Sequence, residues 1–428
     1  MSLTLRSRRA VVLDAEEHIK DQPTMPPEEF RAFEFQDLVY RTLCAILFNF
    51  VPTSGHPGGS ISSGRAVQGL LYNVLNYDLS NPLTPEADII AYAAGHKALG
   101  LYAAWALRNE VARIAAPSLL PQDTKLQLRL EDLLGFRRNP TTATPLFKKL
   151  GAKALDGHPK PNIPFIPLAT GASGVGLGAS VGLALGSLDF YGADGAPIVH
   201  VIEGEGGLTP GRVSEALATA STAGLKNLIL HVDFNQSSID SNRVCREGDI
   251  PGDYVQWTPD ELLYLHDWNV ITVPNGLDFA QVFVAQRLVS SIPNSQPTAI
   301  VYRTIKGWRY GIEGRLSHGA GHAFCSEGFY GALREFEGAF GVSFPRPSGE
   351  RTPESVERMY WETLLVVRQV MASHRAEVGL LAGKLQAARD RLKVLGRKPR
   401  PGAPDVSALY DSTKLDPAKP PAELETAP

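Results

Sequence analysis

The stretch VIEGEGGLTPGRVSEALATASTAGLKNLILHVDFNQSSID (201–240) carries a glycine-framed carboxylate, Glu205 between Gly204 and Gly206, and about thirty residues further on a lone amide, Asn235. Each stands at the end of a short apolar run. PIVHVIE reads as a strand. After it, Thr209 suits a helix N-cap, Pro210 the first helical position and Gly224 a C-cap, and NLILHVD reads as the next strand. Together they spell a βαβ unit, whose two strands run parallel, so residues just past their carboxyl ends emerge on one edge of the sheet. Glu205 and Asn235 are therefore expected to meet. A carboxylate and an amide oxygen converging there are hard ligands suited to Mg2+ or Ca2+, a cation that keeps waters and takes phosphate oxygens, so a phosphorylated cofactor is implied. The plainer alternative is a tight glycine turn and a loop-capping asparagine. A short glycine pattern does not by itself separate the two.

Outward from this unit, residues 30–341 alternate helix-like segments with short apolar runs, the pattern of α/β architecture. PIVHVIEG, LKNLILHVDF, WNVITV and TAIVYRTIKG are rich in β-branched residues and closed by glycine or polar residues. They read as strands of a parallel sheet with helices on both faces. Residues 1–29 form an N-terminal extension, 30–345 the main domain, 346–396 a charged helical appendage, and 397–428 a proline-rich tail expected to be extended or disordered. Apolar residues make up 43% of the 428 positions, enough for a large core. The net charge of -3 gives no electrostatic reason to expect nucleic acid or a membrane surface. Three distant cysteines, Cys44, Cys245 and Cys325, argue against a disulfide framework or a cysteine metal site. The first twenty residues lack an apolar h-region and no later run approaches bilayer length, so the expected location is cytoplasmic.

The Glu205–Asn235 arrangement resembles the thiamine diphosphate motif, in which Gly-Asp-Gly is followed about thirty residues later by an asparagine at a strand end. TSGHPGGSISS (53–63), IAYAAGHKALGLYAA (90–104), DGHPKP (156–161), TGASGVGLGASVGLALG (170–186) and TIKGW (304–308) occur in the order seen in transketolases. The similarity covers nearly three quarters of the chain and is to the N-terminal, diphosphate-binding domain of that family. It implies that Glu205 and the Asn235 side chain bind Mg2+, with the Ser237 carbonyl as third protein ligand. It further implies that Gly171, Gly174, Gly176 and Gly206 let the backbone approach the cofactor. His56, His96 and His158, each following a glycine in a matched run, would line the channel above the thiazolium ring and handle protons on sugar hydroxyls. A fourth imidazole comes from GRLSHGAGHAFCSEGF, either His318 or His322, with His322 preferred. His18, His200, His231, His266 and His374 fall outside the runs and read as structural.

The sequence departs from the family in three places. Glu205 stands where the family has aspartate, and Mg2+ tolerates little displacement of its ligands. Pro210 occupies the place of a glutamate that joins the two active sites across the dimer, although Glu215 of that network is present. The family's pyrimidine-binding domain, which carries the activating glutamate, finds no counterpart in the residues after 341. The resemblance thus points to one subunit of a split transketolase. That enzyme would move a two-carbon ketol unit from ketose phosphate to aldose phosphate, a separate polypeptide would supply the pyrimidine domain, and the whole would be a hetero-oligomer such as a dimer of heterodimers. The alternatives are an E1-type 2-oxo acid dehydrogenase subunit, a phosphoketolase or deoxyxylulose phosphate synthase relative, and a non-catalytic scaffold.

Overall fold

Short β-branched runs become strands here because both of their faces are covered, which removes any need for polar alternation. The structure is a computed structural model that describes residues 7–50, 56–136, 144–319 and 321–405. The chain runs β1 (Val12–Asp14), α1 (Pro27–Phe50), α2 (Pro57–Ser62), α3 (Gly64–Gly69), β2 (Ile89–Tyr92), α4 (Ala98–Ala115) and α5 (Pro145–Leu150). It continues through α6 (Val175–Tyr191), β3 (Val199–Gly204), α7 (Gly211–Thr222), β4 (Leu228–Phe234), α8 (Pro259–Leu265), β5 (Asn269–Val273), α9 (Phe279–Leu288) and β6 (Thr298–Arg303). Three helices close it: α10 (Glu327–Phe340), α11 (Pro353–Ser373) and α12 (Arg375–Leu395).

The strands form one sheet in the order β1-β5-β6-β4-β3-β2, with every neighbouring pair parallel. The four runs read as strands are its centre. The two edge strands, β1 and β2, are three and four residues long, too short to stand out in the sequence but adequate to blunt the edges. On one face, Leu177, Val181 and Ala184 of α6, Val213 and Leu217 of α7 and Leu263 of α8 are buried against Val199, Val201, Leu230 and Val232 of the strands. The other face carries Ile202, Ile271 and Ile300 under α1, α4, α9 and α10. α7 begins one residue later than Thr209 and Pro210 suggest, with Pro210 as its N-cap residue, while Gly224 takes the left-handed turn just past its end (φ 63°).

Compositional boundaries do not coincide with the core. The N-terminal extension supplies β1, whose Val12, Leu13 and Asp14 pair with Val270, Ile271 and Thr272, and Arg9 pairs with Asp267 at 2.6 Å. The helical appendage shares the main core. Tyr360, Leu364, Val367 and Met371 of α11, and Val378, Leu381 and Leu385 of α12, are buried in the same cluster as Phe33 and Leu43 of α1. The Phe50 and Tyr360 rings stack at 3.7 Å, 6° apart, and Arg368 reaches Glu110 on α4 at 2.7 Å. A helix that buries one stripe and solvates the rest has the composition of a solvated appendage, so charge content alone misplaces the boundary. The first residues of the tail are also held, through Arg397 to Asp88 at 2.7 Å and Arg400 N to Phe190 O at 2.9 Å. Residues 1–6 of the extension, 53–55 of the first matched run and 406–428 of the tail lie outside the described residues. Among the described residues, no helix is long and apolar enough to cross a membrane.

If α11 is integral to the core, truncating Tyr360 destabilises the whole domain. Tyr360→Ala is expected to cost about 3–5 kcal/mol of unfolding free energy. Val394→Ser, at a position 87% exposed on α12, should change it by less than about 0.5 kcal/mol. Urea unfolding followed by far-UV circular dichroism measures both, and a Tyr360→Ala curve superimposing on wild type would contradict the shared core.

Candidate active site

The register of β3 with β4 pairs Gly204 with Asp233, so the chain leaves both strands side by side on the carboxyl edge of the sheet. Glu205 opens a short turn (Glu205–Leu208) there. Asn235 N donates to Glu205 Oε2 at 3.3 Å. The other oxygen, Oε1, is buried without a hydrogen-bond partner. Glu205 is 2% exposed, and burial, reinforced by the Asp233 carboxylate, pushes its carboxyl up to about 7. Its neighbour across one residue, Glu203, is also buried and pushed up to about 7 by desolvation, while accepting from Gly204 N at 2.9 Å.

Asp233 ties this edge together. Its Oδ2 accepts from Ser62 Oγ at 2.6 Å, Lys97 Nζ at 2.7 Å and Asn235 Nδ2 at 3.0 Å, and its Oδ1 accepts from Thr304 Oγ1 at 2.5 Å. Lys97 and Asp233 are both almost fully buried. A second ammonium, Lys306, donates to Ser237 O at 3.0 Å and stands 2.9 Å from His318 Nδ1. Burial lowers it to about 8 against the opposing pull of Glu205.

Three imidazoles stand over these charges. The His56 ring lies 4.7 Å from that of His96 and 4.2 Å from that of His318, and His56 N donates to His318 O at 2.7 Å. His56 holds a left-handed backbone (φ 65°), a conformation that costs a non-glycine residue energy and collects at functional sites. Burial, then the neighbouring His56 and Lys97 charges, drive His96 well below the usual imidazole range. His318 is lowered to about 4, by burial and then by Lys306. His96 and His318 are therefore neutral at physiological pH, able to accept a proton or share a hydrogen bond without prior deprotonation.

His158 sits at the exposed rim of this edge, its Cδ2 3.4 Å from where a Cβ on Gly171 would fall. Gly174 is left-handed (φ 79°), and a Cβ on Gly176 would fall 2.5 Å from Ala93 Cα, so the loop from 170 to 176 presses its backbone onto the end of β2. Gly206 meets nothing within 4 Å and leaves open space beside Glu205. His322 is placed elsewhere. Its Nε2 lies 3.2 Å from Tyr310 O, its ring packs on Tyr310, and it lines a separate cavity; His318 takes the place among the imidazoles for which His322 was preferred. The run departs by one residue from the family's paired histidines, so the resemblance preferred His322 without separating it from His318. His200 and His231 are interior, joined at 3.0 Å, with His231 also 2.9 Å from the Tyr302 hydroxyl.

Sequence reading passed over Lys97, Asp233, Lys306, Ser62 and Thr304. The available signal was charge inside apolar runs: lysine in AAGHKALG and TIKGW and aspartate in LILHVDF are costly to bury unless paired.

An Mg2+ ion fits this donor set in part. The orphaned Glu205 Oε1 calls for a cation or a donor, and the Asn235 carbonyl oxygen, which accepts from Ser237 N at 3.0 Å, keeps a second lone pair. The Ser237 carbonyl is already engaged by Lys306. Among the described residues no three His, Cys, Asp or Glu side chains group as a metal cage, so the donors would be oxygens of mixed type.

A parallel sheet whose carboxyl edge gathers carboxylates, ammonium groups and imidazoles defines an α/β cofactor-binding domain of the open-sheet kind. Residues 123–324 match the family described as transketolase, thiamine diphosphate binding domain. Over 255 residues the chain is 29% identical to transketolase-like protein 2 of Mus musculus, covering 60% of this chain and 34% of that protein. It is 29% identical to transketolase of Homo sapiens over 254 residues, covering 59% and 34%. The fold superposes on transketolase from Leishmania mexicana with a TM-score of 0.56 at 22% identity, covering 87% of this chain and 49% of that one. Residues 123–324 thus resemble the N-terminal, thiamine diphosphate-binding domain of transketolases, and the fold is similar to theirs. The chain spans about a third of the length of these curated relatives and about half of the solved structure.

The buried Glu205 makes the sign of one pH effect explicit. Its folded pKa, about 7, lies above the ordinary 4.5, so the folded state holds the extra proton and stability falls as pH rises from about 4.5 through 7. Glu205→Gln is expected to stabilise the cofactor-free protein at pH 8 by up to roughly 3 kcal/mol and to be near neutral at pH 4.5. Equal stability changes at both pH values in denaturant titrations would contradict the buried, protonated carboxyl.

Proposed function

We propose that this chain binds thiamine diphosphate with Mg2+ at the carboxyl edge of β3, β4 and β6, and serves as the diphosphate-binding subunit of a transketolase-type transferase. The observation that carries this reading is the convergence of Glu205, Asn235, Lys306 and the imidazoles of His56, His96 and His318 on one edge of a parallel sheet. Glu205 Oε1 and Asn235 Oδ1 would hold the metal, with Ser237 O shared between it and Lys306. Lys306 and the backbone of residues 170–176 would meet the diphosphate. When bound, the cofactor would supply the nucleophilic carbon needed to transfer a two-carbon ketol unit from a ketose phosphate to an aldose phosphate.

This chain's own part is positional and protonic. His56, His96 and His318 would accept hydrogen bonds from substrate hydroxyls and move protons at their ring nitrogens, with His158 at the rim. Lys97 and Asp233 hold His96 and Asn235 in place from below. The Lys306 charge against His318 favours its neutral ring, keeping it available as a base.

The pyrimidine-binding half of the site would come from a separate polypeptide, in a hetero-oligomer built from both chains. The exposed face of α6 supports an association of that kind. Val175 and Leu185 are 41% and 46% exposed there, Gly178, Gly182 and Gly186 meet nothing within 4 Å, and Asp189 is the one charge in the helix.

Titrating thiamine diphosphate and Mg2+ into this chain, with and without the co-purifying partner, and then assaying ketol transfer tests the proposal. Turnover is expected only in the mixture, and turnover by the chain alone would overturn the split arrangement. No cofactor binding even in the mixture would instead favour a scaffold role. In the active mixture, His318→Ala is expected to lower kcat/KM by about 100-fold or more, whereas His322→Ala should change it by less than about 10-fold. The reverse ranking would return the catalytic assignment to His322.

A further inference from the structure

Two lysines are buried among the described residues, Lys97 and Lys306, and both lie on the carboxyl edge of the sheet. Lys97 is paired with Asp233 at 2.7 Å. Lys306, 5% exposed, has no carboxylate within ion-pair distance among the described residues. Its three N–H groups go to neutral acceptors: Ser237 O at 3.0 Å, Ser238 O at 3.4 Å and His318 Nδ1 at 2.9 Å. An ammonium has no lone pair, so it is the donor in each. Beyond burial itself, Glu205 is the strongest influence on its charge, ahead of Lys97 and Asp233.

Two of these acceptors have other claims on them. Ser237 O is the carbonyl that the cofactor reading gives to the metal, and His318 is an imidazole that it gives to substrate. Two cations repel one another when they share one carbonyl oxygen. With the ammonium at 3.0 Å and a metal at about 2.1 Å from the same atom, they would stand no more than about 5 Å apart in a setting where water screens little. Glu205 Oε1 is likewise closed to solvent, so the cofactor-free arrangement presents neither donor freely to a metal. An anion changes the balance. A phosphate oxygen offers the ammonium a full negative charge, where a carbonyl or a neutral imidazole offers only a dipole. The lysine stem is pinned, since a Cβ on Gly58 would fall 2.7 Å from Lys306 Cγ and Gly307 N donates to Gly58 O at 3.2 Å. Only the outer bonds of the side chain are left to re-aim its head.

We propose that Lys306 is a latch: in the cofactor-free chain it holds the Ser237 carbonyl and the His318 Nδ1 lone pair, and it releases both together when it moves onto an incoming diphosphate. The inference rests on the cofactor reading above and adds an order to it. Lys306 and the metal take the Ser237 carbonyl in turn, so a divalent cation alone binds weakly and the diphosphate strengthens its binding. By linkage the cation strengthens diphosphate binding by the same factor. His318 gains a free Nδ1 only once the diphosphate is in place.

Electron paramagnetic resonance titration of the full chain with Mn2+ alone reads the first half of the proposal. Lys306→Met is expected to bind Mn2+ about tenfold or more tightly than wild type, the equivalent of one displaced hydrogen bond to a charged group. Arg315→Met is the control for charge as such. It removes an exposed cation from the neighbouring loop, where Arg315 Nη1 donates to Asp240 O at 3.2 Å, and should change Mn2+ affinity by less than about threefold. Equal strengthening in both variants, or no strengthening in Lys306→Met, would overturn the latch. Imidazole 15N spectra of the unmodified chain, with His318 assigned through His318→Gln, read the second half and do not depend on the lysine variant folding. The His318 Nδ1 signal should hold its position in millimolar Mg2+ and shift when inorganic pyrophosphate is added without metal. A shift with Mg2+ alone, or none with pyrophosphate, would also overturn the latch. If neither wild type nor Lys306→Met binds Mn2+ in the millimolar range, the metal reading fails and the latch with it; if they bind it equally, the reading stands and the latch alone falls.

Discussion

One carboxylate holds the working edge of this domain together. Asp233, at the end of β4, accepts hydrogen bonds from Ser62 on α2, Lys97 just after β2, Asn235 in the loop beyond its own strand, and Thr304 just after β6. Three segments distant in sequence are thereby fixed, with the adjoining loop, to one atom group. A charge this deeply buried is tolerable only when fully paired, and removing one partner of such a pair typically costs 3–5 kcal/mol. The consequence is positional. Lys97 carries His96 with it, Ser62 carries α2 and so His56, and Asn235 is turned so that its backbone N meets Glu205.

Charge balance then shapes the rest of the site. Lys306 donates to the Ser237 carbonyl and stands beside His318, while Glu205 keeps one oxygen unpartnered in a dry setting. An apolar surround strengthens every one of these interactions and also raises the penalty for leaving a group unpaired. The orphaned Glu205 oxygen is thus the group on this edge that a cation or a hydrogen-bond donor would satisfy. The hydrogen bond from Asn235 N to Glu205 Oε2 joins the two strand ends across this edge.

The sheet and the βαβ unit were legible in sequence because buried parallel strands advertise themselves as uninterrupted β-branched runs, and because Thr209, Pro210 and Gly224 mark the helix between them to within one residue. The edge strands were not, since three or four residues such as Val12–Asp14 carry no periodic signal. The role of residues 353–395 was also hidden: a helix with one buried stripe looks the same in composition whether it packs on a core or hangs from it. In the site, residue types within matched runs marked His56, His96, Glu205 and Asn235. The choice between His318 and His322, four positions apart across glycines, rests on where the chain turns.

By itself, then, the sequence determined the parallel α/β sheet, the edge on which chemistry would gather, and the carboxylate and amide that meet there, because those follow from local periodicity and strand direction. Only the tertiary structure decided which imidazoles share a space, that Lys97 and Lys306 carry the positive charge of the site, and that the C-terminal helices belong to the core. These depend on contacts between residues far apart in the chain. Their free energies are set by burial and pairing, which no local pattern encodes.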